Sequence, residues 1–135
     1  MKTSVKKVIS IILLFAVLAT AALNFTVSAR YKYIDVLTSS CSITSKGLAE
    51  SEGTVWPSDD TTKTTLTVEL QKKSGSSWVY EDSWSASGTG TNTVAKYGAK
   101  YVVRGTYRAV VTAKIYSSGG SLLETQSCIS HEMTY

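Results

Sequence analysis

Thr64-Thr65-Leu66-Thr67-Val68-Glu69-Leu70-Gln71 alternates apolar and polar residues with a period of two. Successive side chains of an extended chain point to opposite faces. Leu66, Val68 and Leu70 therefore share one face, and Thr65, Thr67, Glu69 and Gln71 the other. The pattern predicts a half-buried β-strand. Ser74-Gly75-Ser76-Ser77 follows, a short polar turn whose glycine can take a positive φ. Trp78-Val79-Tyr80-Glu81-Asp82-Ser83-Trp84 then reads as the returning strand of a β-hairpin.

A second hairpin lies nearer the C-terminus. Tyr107, Ala109, Val111, Ala113 and Ile115 alternate with Arg108, Val110, Thr112, Lys114 and Tyr116. Ser117-Ser118-Gly119-Gly120 is its turn, and Leu122 to Tyr135 its return. Between the hairpins, Ser87 to Asn92 reads as a loop and Thr93 to Tyr97 as a short strand. Gly98-Ala99-Lys100 is expected to break the chain before Tyr101. In front, Tyr33 to Leu37 and Cys41 to Thr44 are strand pieces. Gly47 to Val55 sets Ala49, Ser51, Gly53 and Val55 against Leu48, Glu50, Glu52 and Thr54, and Trp56-Pro57-Ser58-Asp59-Asp60 is expected as a turn. About seven short strands and no helical period point to an all-β domain, an immunoglobulin- or fibronectin-like β-sandwich.

The first 29 residues are of another kind. Lys2, Lys6 and Lys7 precede an apolar run from Val8 to Leu23, and Val27-Ser28-Ala29 offers small residues to a signal peptidase. Residues 1–29 are expected to be a cleavable signal peptide, and 30–135 a single secreted domain. The alternative is an uncleaved anchor. Sixteen helical residues span about 24 Å, short of the roughly 30 Å hydrocarbon core, so no stable membrane insertion is expected after cleavage. With no hydrophobic tail at Glu132-Met133-Thr134-Tyr135, release from the cell is the expectation.

The signal also accounts for most of the apparent basicity. The whole chain carries a formal charge of +4. Three of its 14 Lys and Arg residues lie in the signal and all 10 Asp and Glu lie after it, leaving 11 against 10. A nucleic-acid binder needs clustered positive charge, so nucleic acid is not an expected partner. Serine and threonine make up 32 of the 106 residues after position 29, a composition suited to strands with one watered face.

Cys41 and Cys128 are the two cysteines of an exported chain, which favours a disulfide between the first and last strands. It would close a loop of about 88 residues and contribute about 4–5 kcal/mol. The alternative is two separate buried thiols. Tyr107, after Arg104-Gly105-Thr106 and opening a long strand, fits a structural tyrosine corner, whose hydroxyl bonds back to upstream backbone; the plainer reading is a core tyrosine.

No catalytic constellation is legible, and the expected protein is not an enzyme. His131, the single histidine, stands four residues from the C-terminus with no G-x-S-x-G elbow to accompany it. One histidine and two cysteines make no zinc site. Glu50/Glu52, Asp59/Asp60 and Glu81/Asp82 are neighbouring carboxylates that read as solvated, with a weak Ca²⁺ site at Asp59 and Asp60 as the lesser reading. No cofactor is expected.

Trp78, Tyr80 and Trp84 fall on one face of an ideal strand. Exposed, they would form an aromatic platform for ligand contact, suited to sugar rings or a protein; buried, they are core. Asp82 shares that face and argues for an outward one.

The stretches Leu70 to Trp78, Ser83-Trp84-Ser85, Gly105-Thr106-Tyr107-Arg108, Gly119-Gly120 and Glu124-Thr125 resemble a group of small secreted proteins of Gram-positive bacteria, mostly low-GC Firmicutes. The resemblance spans roughly residues 40 to 135. It implies a secreted β-sandwich and carries no activity or functional residues to transfer. The functional expectation is a secreted, non-enzymatic binding or interaction module, its partner an extracellular or cell-surface protein or glycan. The alternative is a secreted antagonist of other cells: bacteriocin-like, toxin-like or an inhibitor.

Overall fold

In the computed structural model of the protein the described residues are Tyr31–Tyr135. The expected signal peptide, residues 1–29, lies outside them. Eight strands follow in order: β1 (Ile34–Ile43), β2 (Leu48–Pro57), β3 (Lys63–Ser74), β4 (Ser77–Thr89), β5 (Val94–Tyr101), β6 (Thr106–Tyr116), β7 (Leu122–Ile129) and the two-residue β8 (Met133–Thr134). Among the described residues no helix is long and apolar enough to cross a membrane.

The strands form two antiparallel sheets packed as a sandwich. The smaller has the order β1-β2-β5; the larger has β4-β3-β6-β7, with β8 paired to the start of β6. Alternation decides which side of each strand is dry. Leu66, Val68 and Leu70 of β3 and Val111, Ala113 and Ile115 of β6 are fully buried, as is Val55 of β2. Each large aliphatic side chain buried this way stabilises the fold by about 1.5–3 kcal/mol. The two inner faces are unequal in size. The smaller sheet answers these bulky residues with Ala49, Ser51, Gly53 and Gly98. A Cβ at Gly53 would lie 2.6 Å from both methyl carbons of Val111, so the sheets make a close approach at that point.

The β3–β4 hairpin turns on Gly75 and Ser76, with Ser74 opposite Ser77 and Gly75 at φ 62°. That is the glycine-first geometry which matches the twist of the flanking strands.

Several strands run further than their sequences suggest. The two front pieces are one strand, β1. Trp56 and Pro57 complete β2 rather than forming a turn, and β4 continues through Ser87 and Gly88. Gly98 does not break β5. It sits mid-strand and buried, where the missing side chain leaves room for Trp84 of the facing sheet. The expected last strand, Leu122 to Tyr135, is two: Ser130 ends β7 by bonding Ala109 through both its amide and its hydroxyl.

Candidate functional site

The aromatic strand does not present one face. Leu70 pairs with Asp82 but Gln71 pairs with Tyr80, so Glu81 is an extra residue and the register shifts there. A bulge inserts one residue, and with a side-chain period of two every later side chain changes face. Trp84 pairs with Val68 and points inward, packing on the main core cluster. Trp78 and Tyr80 pair with Lys73 and Gln71 and stand on the outer face of the larger sheet. The shared face expected of Trp78, Tyr80 and Trp84 is thus corrected by one residue. Asp82 also changes side. It lies with Trp84 at the open edge between the sheets, where Lys100 of β5 places its Nζ 4.0 Å from Asp82 Oδ2, 3.6 Å from Glu81 Oε2 and within hydrogen-bond reach (2.9 Å) of the Glu81 carbonyl.

Trp78 is held in a polar and cationic setting. The Arg108 guanidinium lies 4.2 Å from its ring centroid and Lys73 Nζ 5.5 Å. Cations over an indole face stabilise by about 0.5–1 kcal/mol at exposed sites. Arg108 is fixed in turn: its Nε donates to Gln71 Oε1 at 2.9 Å, and Gln71 Nε2 donates to Glu69 Oε1. Lys73 also meets Glu132 at 3.4 Å. Tyr80 beside them is 62% exposed. The outcome is a half-buried indole held by two cations, next to an exposed phenol whose hydroxyl lies 3.3 Å from Ser83 Oγ.

Tyr107, at the start of β6, is fully buried, and its hydroxyl donates to the Val103 carbonyl at 2.7 Å, four residues upstream. Burial, with the charge of Glu81, pushes its phenol above the ordinary range.

Cys41 and Cys128 are free thiols, and the expected bridge is absent. The reason is a longitudinal offset. β1 and β7 lie in different sheets but run alongside each other. Glu124 accepts from the Tyr33 amide at 2.8 Å; Ser39 Oγ donates to the Ala109 carbonyl, which also receives the Ser130 amide. Tyr33 is therefore level with Glu124, and Ser39 with Ser130. Cys41 stands two residues beyond Ser39, and Cys128 two before Ser130. Four residues of strand is about 13 Å, and a disulfide requires Cα atoms within about 7 Å. Burial pushes the Cys41 thiol up.

His131 is solvent-exposed between β7 and β8. Asp59 accepts from both the amide (2.8 Å) and the hydroxyl (2.7 Å) of Thr61 through one oxygen, which holds its carboxyl below the usual range. That oxygen serves the turn. Among the described residues no three His, Cys, Asp or Glu gather where a metal ion could sit.

A second aromatic group was not singled out in the sequence. Trp56, Tyr97 and Tyr101 are 51%, 54% and 71% exposed, on the outer face of the smaller sheet. The signal was present for Trp56: Val55 is an inward residue, so its neighbour faces out. For Tyr97 and Tyr101 it was hidden by the glycine between them. Tyr97 Oη donates to Glu50 Oε1 at 2.6 Å, and this bond holds its phenol protonated above the usual range. No family model matches the chain, and a search of curated proteins finds no match.

Proposed function

We propose that the chain is exported and that its 30–135 domain is a non-enzymatic binding module with a fibronectin-like sandwich. The strand order supports that fold type. Lettered in chain order, β1-β2-β5 corresponds to A-B-E, and β4-β3-β6-β7 to C′-C-F-G. Tyr107 adds support, because a hydroxyl bonded to backbone four residues upstream, at the start of the penultimate long strand, is the arrangement of the tyrosine corner.

The observation that carries the functional reading is the immobilised Trp78 beside exposed Tyr80. Aromatic residues held rigid at a surface lose little entropy when a partner covers them, which is why they dominate contact energies. The test is saturable binding of labelled secreted protein to intact cells of the producing strain and of neighbouring species. Trp78→Ala and Tyr80→Ala are expected to weaken it at least tenfold while the domain stays folded, with a melting temperature lowered by no more than a few degrees. No saturable binding to any cell, or binding indifferent to both changes, would overturn this reading.

A further inference from the structure

The outer face of the smaller sheet carries a second, differently built surface. In the register of β2 and β5, Tyr97 stands opposite Glu52 and Tyr101 opposite Leu48. Trp56, Tyr97 and Tyr101 therefore occupy the levels of β2 positions 56, 52 and 48. They are spaced four residues apart, about 13 Å per step at about 3.3 Å per residue. Ala95 and Ala99 lie between them and keep the row flat. Beside the rings run hydrogen-bonding groups: Ser40 is level with Glu52, and Ser42 with Glu50. Ser40, Ser42, Glu50, Glu52 and Tyr97 line a shallow cavity of about 220 Å³, room for about seven waters' volume of ligand at about 30 Å³ each.

From these placements we propose that this face binds an extended, uncharged or amino-sugar polysaccharide lying along the strands. The narrow surface suits a slender polymer better than a standard-size protein interface. The aromatic row is about 26 Å long on strands about 4.8 Å apart, so three strands offer roughly 400 Å². A standard protein contact covers about 800 Å² per partner. A narrow polymer needs only the stripe. Its sugar rings present a C–H face to each aromatic ring and a rim of hydroxyls to the carboxylates and serines. A peptide that adds as a strand would place its backbone groups against a sheet edge, not against side chains on a face.

Charge selects within the glycans. Glu50 and Glu52 are the ionisable acids of the row, and no outward position of β1, β2 or β5 on this face is a lysine or arginine. An anionic polymer is repelled by these two carboxylates. The larger sheet's outer face has the opposite character, with Lys73, Arg108 and Lys114. Tyr97 is already oriented by its bond to Glu50, so little ordering remains to be done on binding.

The inference does not depend on Trp78 or Tyr80, and its test separates the two surfaces. Secreted protein is mixed with insoluble chitin, cellulose and chitosan, and with polygalacturonate as the anionic polymer. Retention on at least one of the first three, and none on polygalacturonate, is expected. Tyr97→Ala and Tyr101→Ala should each raise the Kd at least tenfold, and addition of Trp56→Ala should abolish retention. Trp78→Ala should leave it unchanged. The proposal fails if no polymer retains the protein, if the aromatic variants bind as the parent does, or if polygalacturonate binds best. It fails also if the triple variant loses only attachment to a protein.

Discussion

The indole of Trp84, on β4 of the larger sheet, lies against the bare backbone of Gly98, on β5 of the smaller one. A methyl group at position 98 would fall inside the ring itself. Gly98→Ala is therefore expected to destabilise the domain by about 1–3 kcal/mol, the usual cost of overpacking. Urea unfolding measures it. Pairing it with Trp84→Leu should recover part of the loss, since the smaller side chain vacates the space. Strict additivity of the two changes would show that the residues do not meet.

Tyr107 offers a cleaner deletion. Tyr107→Phe removes the hydroxyl and leaves the Val103 carbonyl without that donor. The expected loss is about 1–2 kcal/mol, a hydrogen bond plus part of the desolvation of its acceptor. A loss below about 0.3 kcal/mol in the same unfolding assay would mean that water replaces the hydroxyl freely.

The cysteines predict a mass. The protein should keep both thiols, so alkylation under non-reducing, denaturing conditions should add two adducts. In the native state Cys41 should react more slowly than an exposed thiol at neutral pH. Burial raises its pKa, and the thiolate is the reactive form. Mild denaturation should bring the Cys41 rate up to that of an exposed thiol.

Asp59 sets an acid-side dependence. Its carboxyl is held below the ordinary value by the bonds from Thr61. A depressed folded pKa contributes stability that is fully present above the unfolded pKa and is lost as pH falls through the folded one. The window therefore lies below about pH 4. Carbon-detected NMR titration should place the Asp59 midpoint below that of a model aspartate, and Thr61→Ala should return it toward the ordinary value. An unshifted midpoint in the parent protein would remove the claim. No effect is expected near neutral pH.

Much of the architecture was legible because alternation is a local property. Leu66, Val68 and Leu70 were recognisable as a core face, and Ser74 to Ser77 as a turn, without knowledge of any partner strand. Strand ends were less legible. Glycine at 88 and at 98 reads locally as a break, and only the side chain it faces explains why the strand continues. Val94 lies where a Cβ at Gly88 would go, and Trp84 where one at Gly98 would go.

The surfaces show the same division more sharply. Sequence alone determined that this domain is made of strands, which residues of β3 and β6 face inward, and that residues 30–135 are nearly neutral. Tertiary structure decided what depends on register between strands distant in the chain. It turned Trp84 into the core while leaving Trp78 and Tyr80 outside, through the single extra residue Glu81. It set Cys41 and Cys128 four residues out of step, and it brought Trp56, Tyr97 and Tyr101 into one row. The physical reason is the period of two: one inserted residue reverses every side chain beyond it, and pairing between sheets leaves no mark in either strand's own sequence.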